Sequence, residues 1–246
     1  LTIKAITFDF WATLYQPKTV DYTQRILRLK ETIETHSNNT FEVEQFQSAV
    51  KVARESWSQT WLEEYRTITA SEWLEILLLH LPAVLPPPLF QEIEAGLENS
   101  IFQDPPALAP KIKTLLPNLA KAYKLGVISD TGLTPGRVLR EILSNDGILE
   151  FFSCLTFSDE VGRSKPHARP FLTTLNRLGV LPQEAVHVGD LLRTDIAGAK
   201  HTGMRAVQYI GINHDKETST PANILPDAVI KNHMELKPLL QNWESM

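Results

Sequence analysis

The sequence predicts an α/β protein: a Rossmann-like parallel sheet with an all-helical segment inserted after its first strand. Two changes of texture carry that reading. From about Pro105 onward, short β-branched runs alternate with helix-like stretches, the order that produces a parallel sheet covered on both faces. Between Pro17 and about Asp104, apolar residues instead recur at spacings of three and four, as on the buried faces of helices. The strand-like run at residues 3–9 precedes the helical stretch and groups with the sheet. The expected division is an α/β core domain made of residues 1–16 and 105–246, and a helical domain made of residues 17–104.

Taken in chain order, the run "AITF" ends on a single acid, Asp9. Ile26, Leu29 and Ile33 mark a first helix, and Val43, Phe46, Val50, Ala53, Trp57, Trp61 and Tyr65 form one apolar stripe on a longer one. Thr69 and Glu72 have capping-box spacing ahead of "WLEILLLHL". The prolines at 86–88 separate that helix from the amphipathic "LFQEIEAGLENSI". Further strands are expected at 125–129, 154–158, 185–189, 206–210 and 227–230, with helices in "TPGRVLREIL" and "RPFLTTLNRLGV" between them. Pro117 is expected to start or kink a helix. "LKPLLQNWESM" reads as an amphipathic helix docking on the sheet.

Composition narrows the function. A formal charge of −5 leaves no basic footprint for nucleic acid, so phosphate recognition should be local. The most apolar segment, "ILLLHLPAVL" at 76–85, is far short of a membrane span and is broken by Pro82. The start of the chain lacks the apolar core of a signal peptide, and the single cysteine, Cys154, fits a buried thiol in a reducing compartment. A cytoplasmic protein acting on a small molecule is expected, with no nucleic-acid or membrane partner. Oligomeric state is left open by the sequence.

The polar residues that matter fall where strands end, which is where open α/β sheets bind ligands. Asp9 closes the first strand, Ser129 the second and Asp190 the fourth, while Lys165 lies between the last two, just ahead of Pro166. Each alone has a plain explanation as a cap, a turn or a solvated cation. Together, and with Asp195 nearby, they describe carboxylates converging on one crevice. Such acids repel unless a cation is present, and an all-oxygen set suits Mg²⁺. Lys165, the Ser129 hydroxyl and backbone N–H groups around Asp130 and Thr131 would supply donors for phosphate oxygens. Arg25 and Arg28 read as solvent-facing, His187 as a core residue and His167 as a loop residue.

In this order the residues resemble the haloacid dehalogenase superfamily of hydrolases. The four motifs are Asp9 with Thr13 and Leu14, Ser129, the Lys165–Pro166 pair, and Gly189–Asp190 with Asp195 five residues on. The insertion is similar to the helical cap of the subgroup containing phosphoglycolate phosphatases and L-2-haloacid dehalogenases. The resemblance implies that Asp9 becomes an aspartyl-phosphate and that Ser129 and Lys165 hold the transferring group. It also implies that Asp9, Asp190, Asp195 and the backbone carbonyl of Trp11 serve a Mg²⁺ ion, and that Thr13 joins Asp130 and Thr131 around the phosphate.

Position 11 departs from the phosphatase pattern, which places a second Asp there as general acid and base. Here it is Trp11, and loss of such a group typically costs about 10²–10⁴ in rate. Three readings follow: a Mg²⁺-dependent phosphohydrolase of a small phosphorylated metabolite, a 2-haloacid dehalogenase-like enzyme whose halide needs no proton, or a weakened phosphate-ligand binding protein. In the first reading the leaving group needs little protonation or the acid comes from the cap or the substrate; the sequence singles out none of the cap lysines Lys18, Lys30 and Lys51 for that part.

Overall fold

A computed structural model of the chain describes residues 2–16, 22–37, 39–212 and 224–245, with residues 22–25 described by backbone alone. Lys18 and the Arg25 side chain lie outside the described residues. Six parallel strands form the sheet: β1 (Ala5–Phe8), β4 (Lys124–Ser129), β5 (Phe152–Phe157), β6 (Ala185–Gly189), β7 (Arg205–Tyr209) and β8 (Ala228–Ile230), in the spatial order β5-β4-β1-β6-β7-β8. They match the expected strands to within one or two residues. Strand order reverses between β1 and β6, so the crevice at their carboxyl ends is the topological switch point of the sheet.

Alternation along the strands divides the core between the two faces of the sheet. Ile6, Phe8, Leu125, Val127, Val186 and Val188 pack with Leu116 of α5 (Ile112–Leu119), Leu139 of α6 (Gly136–Asn145) and Leu240 of α10 (Leu236–Ser245). Ala5, Ile128 and Ala185 face the other way, onto Phe171 and Leu175 of α8 (Ala168–Leu178) and Ala199 of α9 (Ala197–His201). Pro117 sits inside α5 rather than at its start. Burial of each large aliphatic side chain contributes about 1.5–3 kcal/mol, which makes the two-sided core the main stabilising term.

Between β1 and β4 the chain leaves the sheet and returns. Its two crossing strands, β2 (Tyr15–Gln16) and β3 (Ala107–Leu108), pair antiparallel with Tyr15 opposite Leu108. Between them lie α1 (Tyr22–Ser37), α2 (Val43–Glu63), α3 (Ala70–Leu79) and α4 (Pro87–Asn99). This helical unit has its own core, including Ile33, Phe46, Val50, Leu74, Leu77 and Ile93. The Thr69–Glu72 capping box forms as expected: the Glu72 N–H donates to Thr69 Oγ1 at 3.1 Å and the Thr69 N–H to Glu72 Oε2 at 2.8 Å. One expectation fails. Tyr65 does not continue the α2 stripe, because it lies past the helix end with φ +52°.

The turn after α2 ties the helical unit to the sheet unit. The Ser164 N–H donates to the Tyr65 carbonyl at 2.7 Å, and the Thr67 hydroxyl lies 2.7 Å from that of Ser158 and 2.9 Å from that of Ser164. Arg137 of α6 pairs with Glu98 of α4. No helix among the described residues is long and apolar enough to cross a membrane.

Candidate active site

Register brings the strand ends level. Phe8 of β1 lies opposite Val127 of β4 and Val188 of β6, so Asp9, Ser129 and Asp190 emerge side by side. The Asp9 N–H still donates to the Val188 carbonyl at 2.9 Å, which fixes the Asp9 backbone on β6. Asp9, Asp190 and Asp195 are buried.

Lys165, also buried, crosses this cluster. Its Nζ donates to Asp9 Oδ1 at 2.5 Å, to Asp195 Oδ1 at 2.6 Å and to the Ile128 carbonyl at 3.1 Å, so all three ammonium protons are engaged. Burial alone would pull Lys165 down, but Asp195, Asp9 and Asp130 outweigh it and hold the ammonium above its ordinary range. Burial pushes Asp9 well up, with Asp195 and Asp190 adding repulsion and Lys165 opposing. Asp195 goes the other way. Its burial is outweighed by Lys165 and by His187, which keep it ionised.

Asp195 is placed by a close approach of backbone. After β6 a single π turn, Leu192–Ile196, folds its side chain against Gly189, where a Cβ would come within 2.3 Å of Asp195 Cγ. Glycine at 189 is thus a requirement of this packing. Asp195 Oδ2 accepts from the Leu191 N–H at 3.1 Å, and His187 Nε2 lies 3.1 Å from Oδ1. Burial lowers the His187 pKa, and a neutral ring protonated on Nε2 lets Nδ1 accept from the Thr7 hydroxyl 2.9 Å away. His187 is a core residue, as expected, but one that braces Asp195.

Beyond Asp9 the chain reverses sharply. Ala12 takes a left-handed φ of +53°, and the N–H groups of Leu14 and Tyr15 both donate to the Phe10 carbonyl. The reversal leaves Trp11 at the crevice, its ring edge-on to Phe10 at 4.9 Å, and carries Thr13 into the interior beside His233. Thr13 therefore does not line the crevice, contrary to the expected phosphate role. Ser129 does not line it either; its hydroxyl donates to the Asp130 carbonyl at 3.2 Å. Thr131 does line it, yet its N–H and hydroxyl both meet Ser158 Oγ, at 2.8 and 3.0 Å, so that amide is not a phosphate donor in this arrangement.

Asp130 takes an unexpected place. Its Oδ1 accepts from the Lys165 backbone N–H at 2.8 Å, and its Oδ2 accepts from the indole N–H of Trp61, on α2, at 2.9 Å. The Arg193 guanidinium lies 4.2 Å from the Trp61 ring centre, and Trp57 stacks on Trp61 at 5.7 Å. Burial raises the Asp130 pKa against the pull of Lys165 and Trp61. Trp61 was expected to pack within the helices. Its one sequence signal is an N–H donor placed late in an otherwise apolar stripe.

Above the carboxylates opens a cavity of about 870 Å³, bordered by strand ends below and the helical unit above and open to solvent. Asp9, Trp11, Asp130, Lys165, Asp190 and Asp195 line its floor; most of its surface is apolar. Arg28 borders it and donates to Gln103 Oε1 at 3.2 Å, rather than facing only solvent. Lys30 and Lys51 do not border it, and each pairs with an acid four residues on.

Asp9, Asp190 and Asp195 each offer a carboxylate oxygen, and these atoms lie within 4.8 Å of one another. Buried, all-oxygen and compact, the set fits a hard divalent cation. Both oxygens of Asp195 already accept hydrogen bonds.

Comparison with known proteins agrees with this geometry. The haloacid dehalogenase-like hydrolase family matches residues 8–209. A glyceraldehyde 3-phosphate phosphatase of Methanopyrus kandleri is 29% identical over 238 residues, 95% of each chain. Among solved structures, a 2-haloacid dehalogenase from Pseudomonas syringae superposes with a TM-score of 0.67 at 26% identity, covering 98% of this chain and 100% of that one. A HAD phosphatase from Thermococcus onnurineus gives a TM-score of 0.61 at 25% identity over 97% of this chain and 98% of its own. With its motifs gathered on one sheet edge and most of its length matched, the chain belongs to the haloacid dehalogenase-like hydrolase family.

Proposed function

We propose that the protein is a Mg²⁺-dependent phosphohydrolase that works through an aspartyl-phosphate on Asp9, with residues 17–104 acting as a cap over the site. One observation carries the reading: a single buried ammonium, Lys165, spans Asp9 and Asp195 inside a cluster of three carboxylates. Lys165 holds the Asp9 side chain in place and offsets negative charge as the phosphoryl group arrives. Asp9 forms a bond to phosphorus while the ester oxygen leaves, and water then releases phosphate and restores the carboxylate. Asp9 and Asp190 would hold the ion, with the Trp11 carbonyl beside them, and Asp195 would support them through Lys165. The chemistry a bound Mg²⁺ supplies there is charge neutralisation at the phosphoryl oxygens. The helical unit would exclude water during the first step.

A dehalogenase-like reading draws on Trp11, an aromatic residue where no proton is needed, and on the likeness to the Pseudomonas syringae enzyme. The convergent acids favour the phosphohydrolase, since three buried carboxylates around one lysine carry excess negative charge that a cation relieves. The test is a panel of phosphate esters and acyl phosphates assayed with Mg²⁺ and with a chelator, repeated on Asp9→Asn. Mg²⁺-dependent turnover that falls by more than about 10⁴-fold in Asp9→Asn is expected. Silence across the whole panel, with chloride released from 2-chloropropionate without metal, would replace this reading with the dehalogenase one.

A further inference from the structure

We propose, on the footing of the phosphohydrolase reading, that the substrate is a phosphate monoester of an aromatic, phenol-type hydroxyl. Its flat body would lie against the tryptophans above the site, and its oxygen would leave without a proton from the protein. Two separate observations meet in this assignment.

The first is the cavity wall. Trp11, Trp57, Trp61 and Trp73, four of the five tryptophans in the chain, line the cavity over Asp9. Two of them are set in place before any ligand arrives. Trp57 and Trp61 are stacked with 14° between their planes, and Trp61 is held by Asp130 at 2.9 Å and by Arg193 across its face. Trp57 also rests near Gly132, where a Cβ would come within 3.9 Å of its ring. Trp61, already stacked on Trp57 and covered by Arg193, braces this wall and leaves Trp11 and Trp57 to meet a ligand. A fixed aromatic wall favours a flat apolar body, which loses little on leaving water. A polyol would leave hydroxyls facing carbon.

The second observation is the proton supply. Position 11 carries no acid. Asp130, the carboxyl that borders the cavity on its other side, accepts an N–H on each oxygen and so is set as an acceptor. Asp195 is likewise filled with donors. Glu92 and Asp104 border the cavity from the helical side, but the position beside Asp9 offers no acid, and a leaving oxygen that departs as an anion needs none. A phenol-type oxygen has a pKa near 10, as in tyrosine, against about 15.7 for water, so it departs far more readily than an alkoxide. The bond balance is simple. An Asp9 carboxylate oxygen bonds to phosphorus as the phosphorus–aryl oxygen bond breaks, the electron pair leaves on the aryl oxide, and solvent protonates it. Water then cleaves the aspartyl-phosphate to inorganic phosphate.

The experiment compares phenyl phosphate with benzyl phosphate, which keeps the ring but leaves as an alkoxide, on the whole protein with Mg²⁺. A kcat/KM ratio of at least about 10² in favour of phenyl phosphate is expected, with Trp11→Asp shrinking it by raising benzyl phosphate turnover. 1-Naphthyl phosphate should show a KM about 10-fold below that of phenyl phosphate. Trp57→Ala, with Trp57→Phe as the milder variant, should erase more of that gain than it costs acetyl phosphate, read as the ratio of the two KM changes. Glyceraldehyde 3-phosphate, benzyl phosphate or acetyl phosphate turned over as efficiently as the aryl esters would overturn the aromatic assignment and leave the phosphohydrolase standing. No turnover of any phosphate would remove both.

Discussion

The sheet unit buries Asp9, Lys165, His187, Asp190, Asp195 and His233, whereas the described residues of the helical unit bury no ionisable side chain, and their buried polar groups are the hydroxyls of Thr60 and Thr67. The two units face each other across the same cavity but are built differently. On the sheet side, charges taken out of water are tolerable because Lys165, His187 and the backbone answer them. On the helical side, an ordinary apolar core presents tryptophans and aliphatic residues to the cavity, with Arg28, Arg54 and Glu92 also at its border. The contrast separates two jobs. On the proposed function, reactivity would depend on charge balance in the floor and selection on shape and carbon surface in the roof.

The contrast can be broken most severely at Lys165. Lys165→Met leaves Asp9 and Asp195 without their counter-charge, so stability should fall by about 3–5 kcal/mol and kcat by about 10³-fold. Urea melts with and without Mg²⁺ check this, with part of the stability expected back when the ion is present. A second effect confined to the sheet unit is acid sensitivity. Burial lowers the His233 pKa to about 4. Below pH 6.5 the unfolded chain takes up a proton that the folded chain refuses until about pH 4, so stability falls as pH drops through that window. The loss attributable to His233 is about 3 kcal/mol, read as the difference between the pH profiles of the native chain and His233→Leu.

Smaller changes sharpen the junction between the units. Trp61→Phe keeps the aromatic face but removes the indole N–H from Asp130. A hydrogen bond to a charged group contributes about 1.5–3 kcal/mol, so KM should rise about 10-fold or more with kcat changed less. Equal losses in both constants would mean that Trp61 acts on the chemical step instead. The least effect is expected from Arg137→Ala, whose pairing with Glu98 also joins the units but leaves Arg137 half exposed. Its contribution should be under about 1 kcal/mol and should fade with added salt, measured by melts at low and high ionic strength.

Local pattern determined much of this protein. Buried strands leave a β-branched run, turns leave polar punctuation, and a helix start leaves Thr69 and Glu72, so the strands, the helical insertion and the capping box could be read from residues close together in the chain. Asp9 and Asp190 were legible for the same reason: each directly follows a strand and parallel pairing aligns those ends, whereas Ser129 ends its strand but turns its hydroxyl onto the Asp130 carbonyl. The tertiary structure alone decided what the side chains touch. Thr13 was lost to the interior by a reversal at Ala12, the Thr131 amide was taken by Ser158, and both oxygens of Asp195 were filled from Lys165, His187 and Leu191. The contact from Trp61 to Asp130 joins residues 69 positions apart in the chain and depends on how α2 sits over the sheet. A three- or four-residue period records which face of a helix avoids water, but an indole that packs among helices and one that reaches a buried carboxylate across a cavity follow the same period.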